Sequence, residues 1–327
     1  MRIIRRISFL LVLVAVIGAL DPGTADSAMS DWPSKNITII VVGGPGGGFD
    51  LTARATAPSI AKHLPRRVSV VVKNITAGAG KIGTRELATA KPDGYTIAVL
   101  DPMNMALMQM VSPIEGVDVT KIAWLGRLNT LPNMVLVGSK TGFRKVVDLK
   151  GKRVRFAVHQ LAEMLWTTKM AQSLGATAQF VNFSGAPEGC LAIMRGDCDA
   201  IVMNYASLRR QVRASEGQLI PLLVDSQERI PGVEVPSIKE VGIQSECIYG
   251  SSKVVAVPPG FSPELRRIWE ETLSKVLGDP EWSAQMNKIE FPPTVLTGSN
   301  LDAWIKSMLD NVEKDKDIIV GLSKEKY

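Results

Sequence analysis

The sequence predicts an α/β protein of two domains, each a mainly parallel sheet flanked by helices. Short β-branched apolar runs alternate with segments of helical periodicity in the opening third, the grammar of parallel strands with crossover helices. Glycine-rich loops follow the first two of those runs. A middle block then repeats the alternation with strands of its own before the chain returns to one further strand. Domain boundaries are therefore expected near Leu131 and Ser251, with residues 26–130 and 252–327 in one domain and 131–251 in the other.

Residues 36–42 (NITIIVV) form a β-branched run ending in glycines, hence a buried strand entering a loop. Residues 51–64 have helical period, with Asp50 placed to cap the first turn. A second strand is expected at 68–72, a helix at 82–90 that stops before the turn signal Pro92-Asp93-Gly94, and a third strand at 95–100. In the middle block, strands are expected at 134–137, 153–158, 178–183, 200–203 and 219–224, with helices at 145–149, 161–174, 187–194 and 207–214. The last third reads as a strand at 253–257, a helix at 263–277 and a long terminal helix at 300–320. Met103, Met105, Met108 and Met110 have the spacing of core packing rather than of a ligand wall.

The first residues follow a different pattern. Arg2, Arg5 and Arg6 precede an uncharged apolar run over 7–20, then small and polar residues, the order of a secretory leader. Gly23-Thr24-Ala25 is the best small-x-small cleavage site, so residues 1–25 are expected to be removed and the mature protein exported to the periplasm. Loss of three arginines and Asp21 lowers the formal charge from +6 to +4. That excess fits an anionic ligand and is too small and scattered for nucleic acid. Cys190, Cys198 and Cys247 form no C-x-x-C, and neither His63 nor His159 has metal-ligand spacing, so no metal or other cofactor is expected. Cys190 and Cys198 could form a disulfide or stay as buried thiols.

The first glycine loop, Gly43 to Gly48, fails the phosphate-loop pattern because Phe49 stands where lysine is required. The second contains Gly78-x-Gly80-x-x-Gly83, the dinucleotide-binding spacing, with Asp101 at the end of the next strand. Three observations count against a nucleotide. The chain carries a leader, the fingerprint follows the second strand rather than the first, and no group for hydride chemistry stands nearby. A more general use is open to both loops: without a Cβ the backbone approaches a ligand closely, and its amides converge on negative oxygens beside a helix N-terminus. Two such loops side by side would receive a carboxylate.

PGGGFD at 45–50 with Arg54, Lys73-Asn74, AGAGKIG at 77–83 and PDGYT at 92–96 resemble, in order and spacing, the Bug-type receptors of tripartite tricarboxylate transporters. Weaker similarity runs through Gly126-Arg127 and residues 181–200. The resemblance implies a two-domain periplasmic binding protein of the type II, Venus-flytrap kind. Such a protein binds without catalysis, closes on a small organic carboxylate and delivers it to membrane permease subunits; a monomer is expected. It assigns the carboxylate to the loops of Gly46, Gly47 and Gly48 and of Ala77, Gly78, Ala79 and Gly80, with Asp50 bracing the first. Phe49, Lys81 and Asp101 depart from the family pattern. Lys81 could attract negative charge, and Asp101 could bind an amino group or brace its loop. In the second domain His159 and Gln160, the Phe183-Ser184-Gly185 turn and Asn204 are expected to meet the distal end of the ligand, His159 as a contact or as a cap. A ligand sensor for a signalling receptor and an exported NAD-dependent oxidoreductase are the alternatives.

Overall fold

The computed structural model of the chain describes residues 31–78, 80–183, 185–230, 234–243 and 250–324. The leader read at 1–25, Ala79, Ser184 and Cys247 lie outside the described residues. The opening third follows the expected order: β1 (Ile37–Val41), α1 (Gly48–His63), β2 (Val70–Asn74), α2 (Lys81–Ala88) and β3 (Thr96–Leu100). β1 pairs in parallel with β2 on one side and β3 on the other. This central position explains the burial of Ile37, Ile39, Ile40 and Val41, whereas β2 alternates in exposure as an edge strand should. α1 begins at Gly48, with Gly47 as its N-cap, so Asp50 lies within the first turn rather than at the cap.

α3 (Pro102–Val111) follows, started by Asp101 as N-cap and by proline at the first helical position, where the missing N–H costs nothing. Its methionines hid this helix, although Met103 and Met105 are buried. β4 (Ala123–Leu131) also escaped the sequence pattern, because Gly126, Arg127 and Asn129 interrupt its apolar alternation. Pro132 then carries the chain into β5 (Asn133–Gly138), which belongs to a second sheet.

That sheet is completed by β6 (Arg153–Val158), α4 (Leu161–Ser173), β7 (Thr177–Asn182), α5 (Ala186–Arg195), β8 (Ala200–Asn204), α6 (Tyr205–Ala214) and β9 (Leu219–Val224). β10 (Ser251–Val257) returns to the first sheet, followed by α7 (Pro263–Leu277), α8 (Pro280–Lys288) and the two-residue β11 (Leu296–Thr297). The strand orders are β11-β4-β10-β3-β1-β2 and β7-β6-β8-β5-β9. Both sheets are mixed rather than mainly parallel. The βαβ strands β1–β3 and β6–β8 are parallel, but the strands next to the crossings, β4, β10, β5 and β9, pair antiparallel. The outgoing and returning segments run side by side. A Cβ at Gly250 would stand 2.7 Å from the carbonyl oxygen of Leu131, so only glycine permits that approach.

The single terminal helix expected from the sequence is two: α9 (Gly298–Lys314) and α10 (Lys316–Lys324), separated at Asp315. Asp315 accepts a 2.7 Å bond from Lys169 on α4, and Ile319 and Leu322 join the apolar cluster that holds Leu165 and Trp166 of the same helix. The chain end thus packs on the second sheet's helix layer. Cys190 and Cys198 are buried free thiols packed in the apolar core, so the disulfide alternative does not hold. Burial pushes the Cys190 thiol up to about 12, which makes it inert. Among the described residues no helix is long and apolar enough to cross a membrane.

Candidate functional site

Parallel pairing puts the carboxyl ends of β1, β2 and β3 on one edge of the first sheet, and those of β6, β7 and β8 on one edge of the second. Loops leaving such edges are where open α/β sheets place ligands. The two edges meet: Asn104 Nδ2, in the first turn of α3, donates a 2.9 Å bond to Gln160 Oε1, at the start of α4. The start of α3, which follows β3, is thereby joined to the start of α4, which follows β6.

The first loop is braced from within. Asp50 accepts the Gly46 N–H at 2.8 Å and Arg54 Nε at 2.9 Å. Arg54 also donates to Asn74 Oδ1, and Asn74 Nδ2 donates to the carbonyl of Gly43. Burial works against ionisation of Asp50, but these bonds outweigh it and hold the carboxyl below its usual range. An anchored anion of this kind stiffens the loop and is not offered to a ligand. The first intrahelical bond of α1 is Leu51 N–H to Gly47 O, and the amides of Gly48 and Phe49 have no acceptor among the described residues. Gly46, Gly47, Gly48 and Phe49 thus frame a helix N-terminus with free donors.

The second loop packs directly on the first. A Cβ at Gly80 would meet Val42 at 3.1 Å, and one at Gly83 would meet Val42 at 3.0 Å. Gly78 and Gly80 have positive φ, and Ala77 and Gly78 are exposed. Lys81 does not join this group: its Nζ reaches Ser112 Oγ, the C-cap of α3, at the opposite end of that helix from Asp101. Lys73 pairs with Glu86 on the surface.

Asp101 is buried and used internally. Oδ1 accepts the Met103 N–H, and Oδ2 accepts the Ser252 N–H at 3.2 Å and Asn104 Nδ2 at 3.4 Å. It braces rather than presents a free carboxylate, so it offers nothing to the ribose of a dinucleotide. Burial pushes its carboxyl up, and attraction to the Lys253 ammonium opposes that rise. Lys253, missed in the sequence, is the buried cation at this site and lies beneath the first loop.

On the second sheet, His159 stays exposed; its Nδ1 lies 3.2 Å from the Phe183 carbonyl, so the ring bridges the turns after β6 and β7. Glu163 accepts the backbone N–H groups of His159 and Gln160 at 2.7 and 3.2 Å, fixing the start of α4. Gly185 is the N-cap of α5, and Asn204 caps α6 through the Ser207 N–H. Asn104 and Glu163 were also missed; Asn104 needs its partner Gln160 on the other sheet, whereas Glu163 closes a local capping box with Gln160 whose spacing the sequence did carry. Among the described residues no group of three His, Cys, Asp or Glu side chains could hold a metal.

Burial drives the Glu163 carboxyl up from 4.5 to about 7, with its two amide bonds pulling the other way. The folded protein then holds a proton that the unfolded chain releases. This contribution to stability is complete below about pH 4.5 and is lost as pH rises through about 7. Glu163→Gln keeps an acceptor and removes the titration, so melting temperature should fall less steeply across that window. Asp101, raised in the same direction, leaves part of the slope. Parallel profiles for variant and wild type would assign the slope elsewhere.

A surface groove of about 320 Å³ lined by Arg54, Ser59, Lys62, Asp279 and Trp282 lies where α1 meets α8. Lys62 and His63 both approach the Asp279 carboxylate there, which makes it a helix–helix tie.

A family model described as tripartite tricarboxylate transporter family receptor matches residues 52–323. BugT of Bordetella pertussis (strain Tohama I) is 25% identical over 277 residues, 81% of this chain and 82% of that protein. Rpa4515 of R. palustris, solved with adipate, superposes with a TM-score of 0.74 at 22% identity, covering 89% of this chain and 99% of that one. MatC from Rhodopseudomonas palustris, solved with bound malate, gives 0.63 at 18% identity, covering 90% and 100%. At these identities the structural likeness is one of fold.

Proposed function

The chain belongs to the tripartite tricarboxylate transporter receptor family, a family of solute-binding proteins, and from that premise we propose that it captures a small organic carboxylate between its domains and delivers it to a tripartite membrane permease. It acts after export to the periplasm by the leader at 1–25, as a monomer and without catalysis. The ligand carboxylate sits on the free amides of Gly48 and Phe49 beside the second loop at Ala77 and Gly78, while the Gly46, Gly47 and Gly80 amides are held within the loops by Asp50, Gly44 O and Thr76 O. The turns at His159–Gln160, 183–185 and Asn204 close on its far end. The first domain comprises 26–130 with 252–327, and 131–251 forms the second.

The observation that carries this reading is the pair of glycine loops in direct contact, with free amides at the start of α1 and the Asp50 carboxylate paired within the first loop. Such a cradle attracts an anion and approaches it through backbone alone. Rpa4515 and MatC, solved with adipate and malate, support dicarboxylates as the ligand class. Closure is favoured when the ligand makes contacts on both edges that the open form cannot make together.

A thermal-shift screen of the mature protein against succinate, malate, adipate, citrate and benzoate tests it. At least one acid should raise the melting temperature progressively with concentration, about 2.7 kcal/mol of stabilisation being reached at a hundred times Kd. A flat response to every acid would overturn the carboxylate reading.

A further inference from the structure

β10 runs antiparallel to β3, so its first residues lie on the edge where the glycine loops stand. Lys253, two residues from Ser251, is 1% exposed, on a strand whose next four residues, Val254 to Val257, are buried and apolar. Its stem passes beneath the first loop: a Cβ at Gly48 would lie 3.8 Å from Lys253 Cε. Nζ lies 5.0 Å from the centre of the Phe49 ring and 5.2 Å from that of Phe291. It turns back toward the strand start, 3.0 Å from Ser251 Oγ and 3.3 Å from Ser251 O.

These contacts do not satisfy an ammonium. Both acceptors belong to the neutral Ser251, and the third N–H has no acceptor among the described residues. Asp101 attracts Lys253 without hydrogen-bonding to it, and its oxygens accept instead from Met103, Ser252 and Asn104. Asn129, opposite Lys253 in the β4–β10 register, has a buried Oδ1 that is likewise without a partner among the described residues. A buried cation left short of partners is costly, and natural proteins keep one where something completes it. Above it stand the free amides of Gly48 and Phe49, at the positive end of a 16-residue helix.

The geometry points to Lys253 as the fixed cation of the ligand site, which selects an ionised carboxylate over an uncharged isostere at the first glycine loop. The inference rests on the carboxylate reading above and names the group that gives the site its charge preference. The loop amides can receive any oxygen acceptor, an amide carbonyl included. A buried ammonium beside them strengthens the contact only when the ligand brings negative charge.

Calorimetry with adipate, malate and succinate as probes tests it, on the wild type, on Lys253→Met and on Lys253→Met/Asp101→Asn. Methionine fills the space between the rings without charge. The double variant removes both buried charges and serves if the single variant unfolds. The acid that binds the wild type best should bind a folded variant about 10- to 100-fold more weakly, the range of one charge-assisted bond. Its diamide separates charge from shape: the substitution should leave diamide affinity within about threefold, well below the span of such a bond. Unchanged acid affinity in a folded variant would overturn the role of Lys253 and leave the carboxylate site standing. Equal losses for acid and diamide would make the residue a packing element. A wild type that binds none of the three acids would remove the premise itself.

Discussion

Gly48→Ala is expected to destabilise the protein and to disable ligand capture together. The added Cβ would lie 2.8 Å from both Cε1 and Cζ of Phe291, closer than real Cβ contacts come. Phe291 cannot yield easily. Its side chain is 1% exposed, its N–H is bonded to Met286 O, and its carbonyl accepts from Asn129. Overpacking of this kind costs about 1–3 kcal/mol. Any shift of the ring moves the first turn of α1 and the Lys253 ammonium beside it, so affinity for a carboxylate should fall at least tenfold. Gly44→Ala is the control in the same loop, since nothing stands within 4 Å of its Cβ and its φ is not positive. Gly46 and Gly78 are a third kind, with positive φ and no steric clash (open space at Gly46, ordinary contact with Lys81 and Ile82 at Gly78), where a side chain strains the backbone by roughly 1–2 kcal/mol. Thermal melts and calorimetry on the Gly48 and Gly44 variants decide the matter. A Gly48→Ala protein that melts and binds like wild type would show that Phe291 does not define the loop.

The parts of this site that were legible in the sequence are those built from local pattern. β1 and β3 announce themselves by β-branched runs, and the loops after β1 and β2 by glycines that no helix or strand would keep. The positions of His159, Gln160 and Asn204 between a strand and the helix after it were legible, because alternation alone fixes such a place. Lys253 was not legible, because its meaning depends on Gly48, Phe49 and Phe291, which are distant in sequence. One local signal existed: a lysine inside SSKVVAV, where a strand buried on both faces should carry no charge. Lys81 carried the opposite error. Its position beside the glycine fingerprint suggested a role that its bond to Ser112 directs elsewhere. Asn104 was hidden in a methionine-rich segment and acquires its role only through Gln160 on the other sheet.

Asp101→Ala should be among the most destabilising substitutions in the chain, for three separable reasons. It removes the N-cap of α3, worth about 1 kcal/mol. It leaves the buried Ser252 N–H without its acceptor. It also deprives the Lys253 ammonium of the nearby carboxylate whose attraction offsets its burial, although the two groups are not in direct contact. A combined loss of several kcal/mol in denaturant melts is therefore expected, with Asn104 less constrained toward Gln160 because its second partner is gone. Asp101→Asn keeps the shape but replaces one acceptor by a donor facing the Ser252 N–H or Asn104. A double-mutant cycle with Lys253→Met distinguishes the causes. If the charge pair dominates, the second substitution should recover much of the loss, because no unpaired ammonium remains to be buried. Strict additivity would assign the loss to the cap and the orphaned amide. In that case Asp101 holds the cleft edge in shape, and the charge of Lys253 is left to the ligand alone.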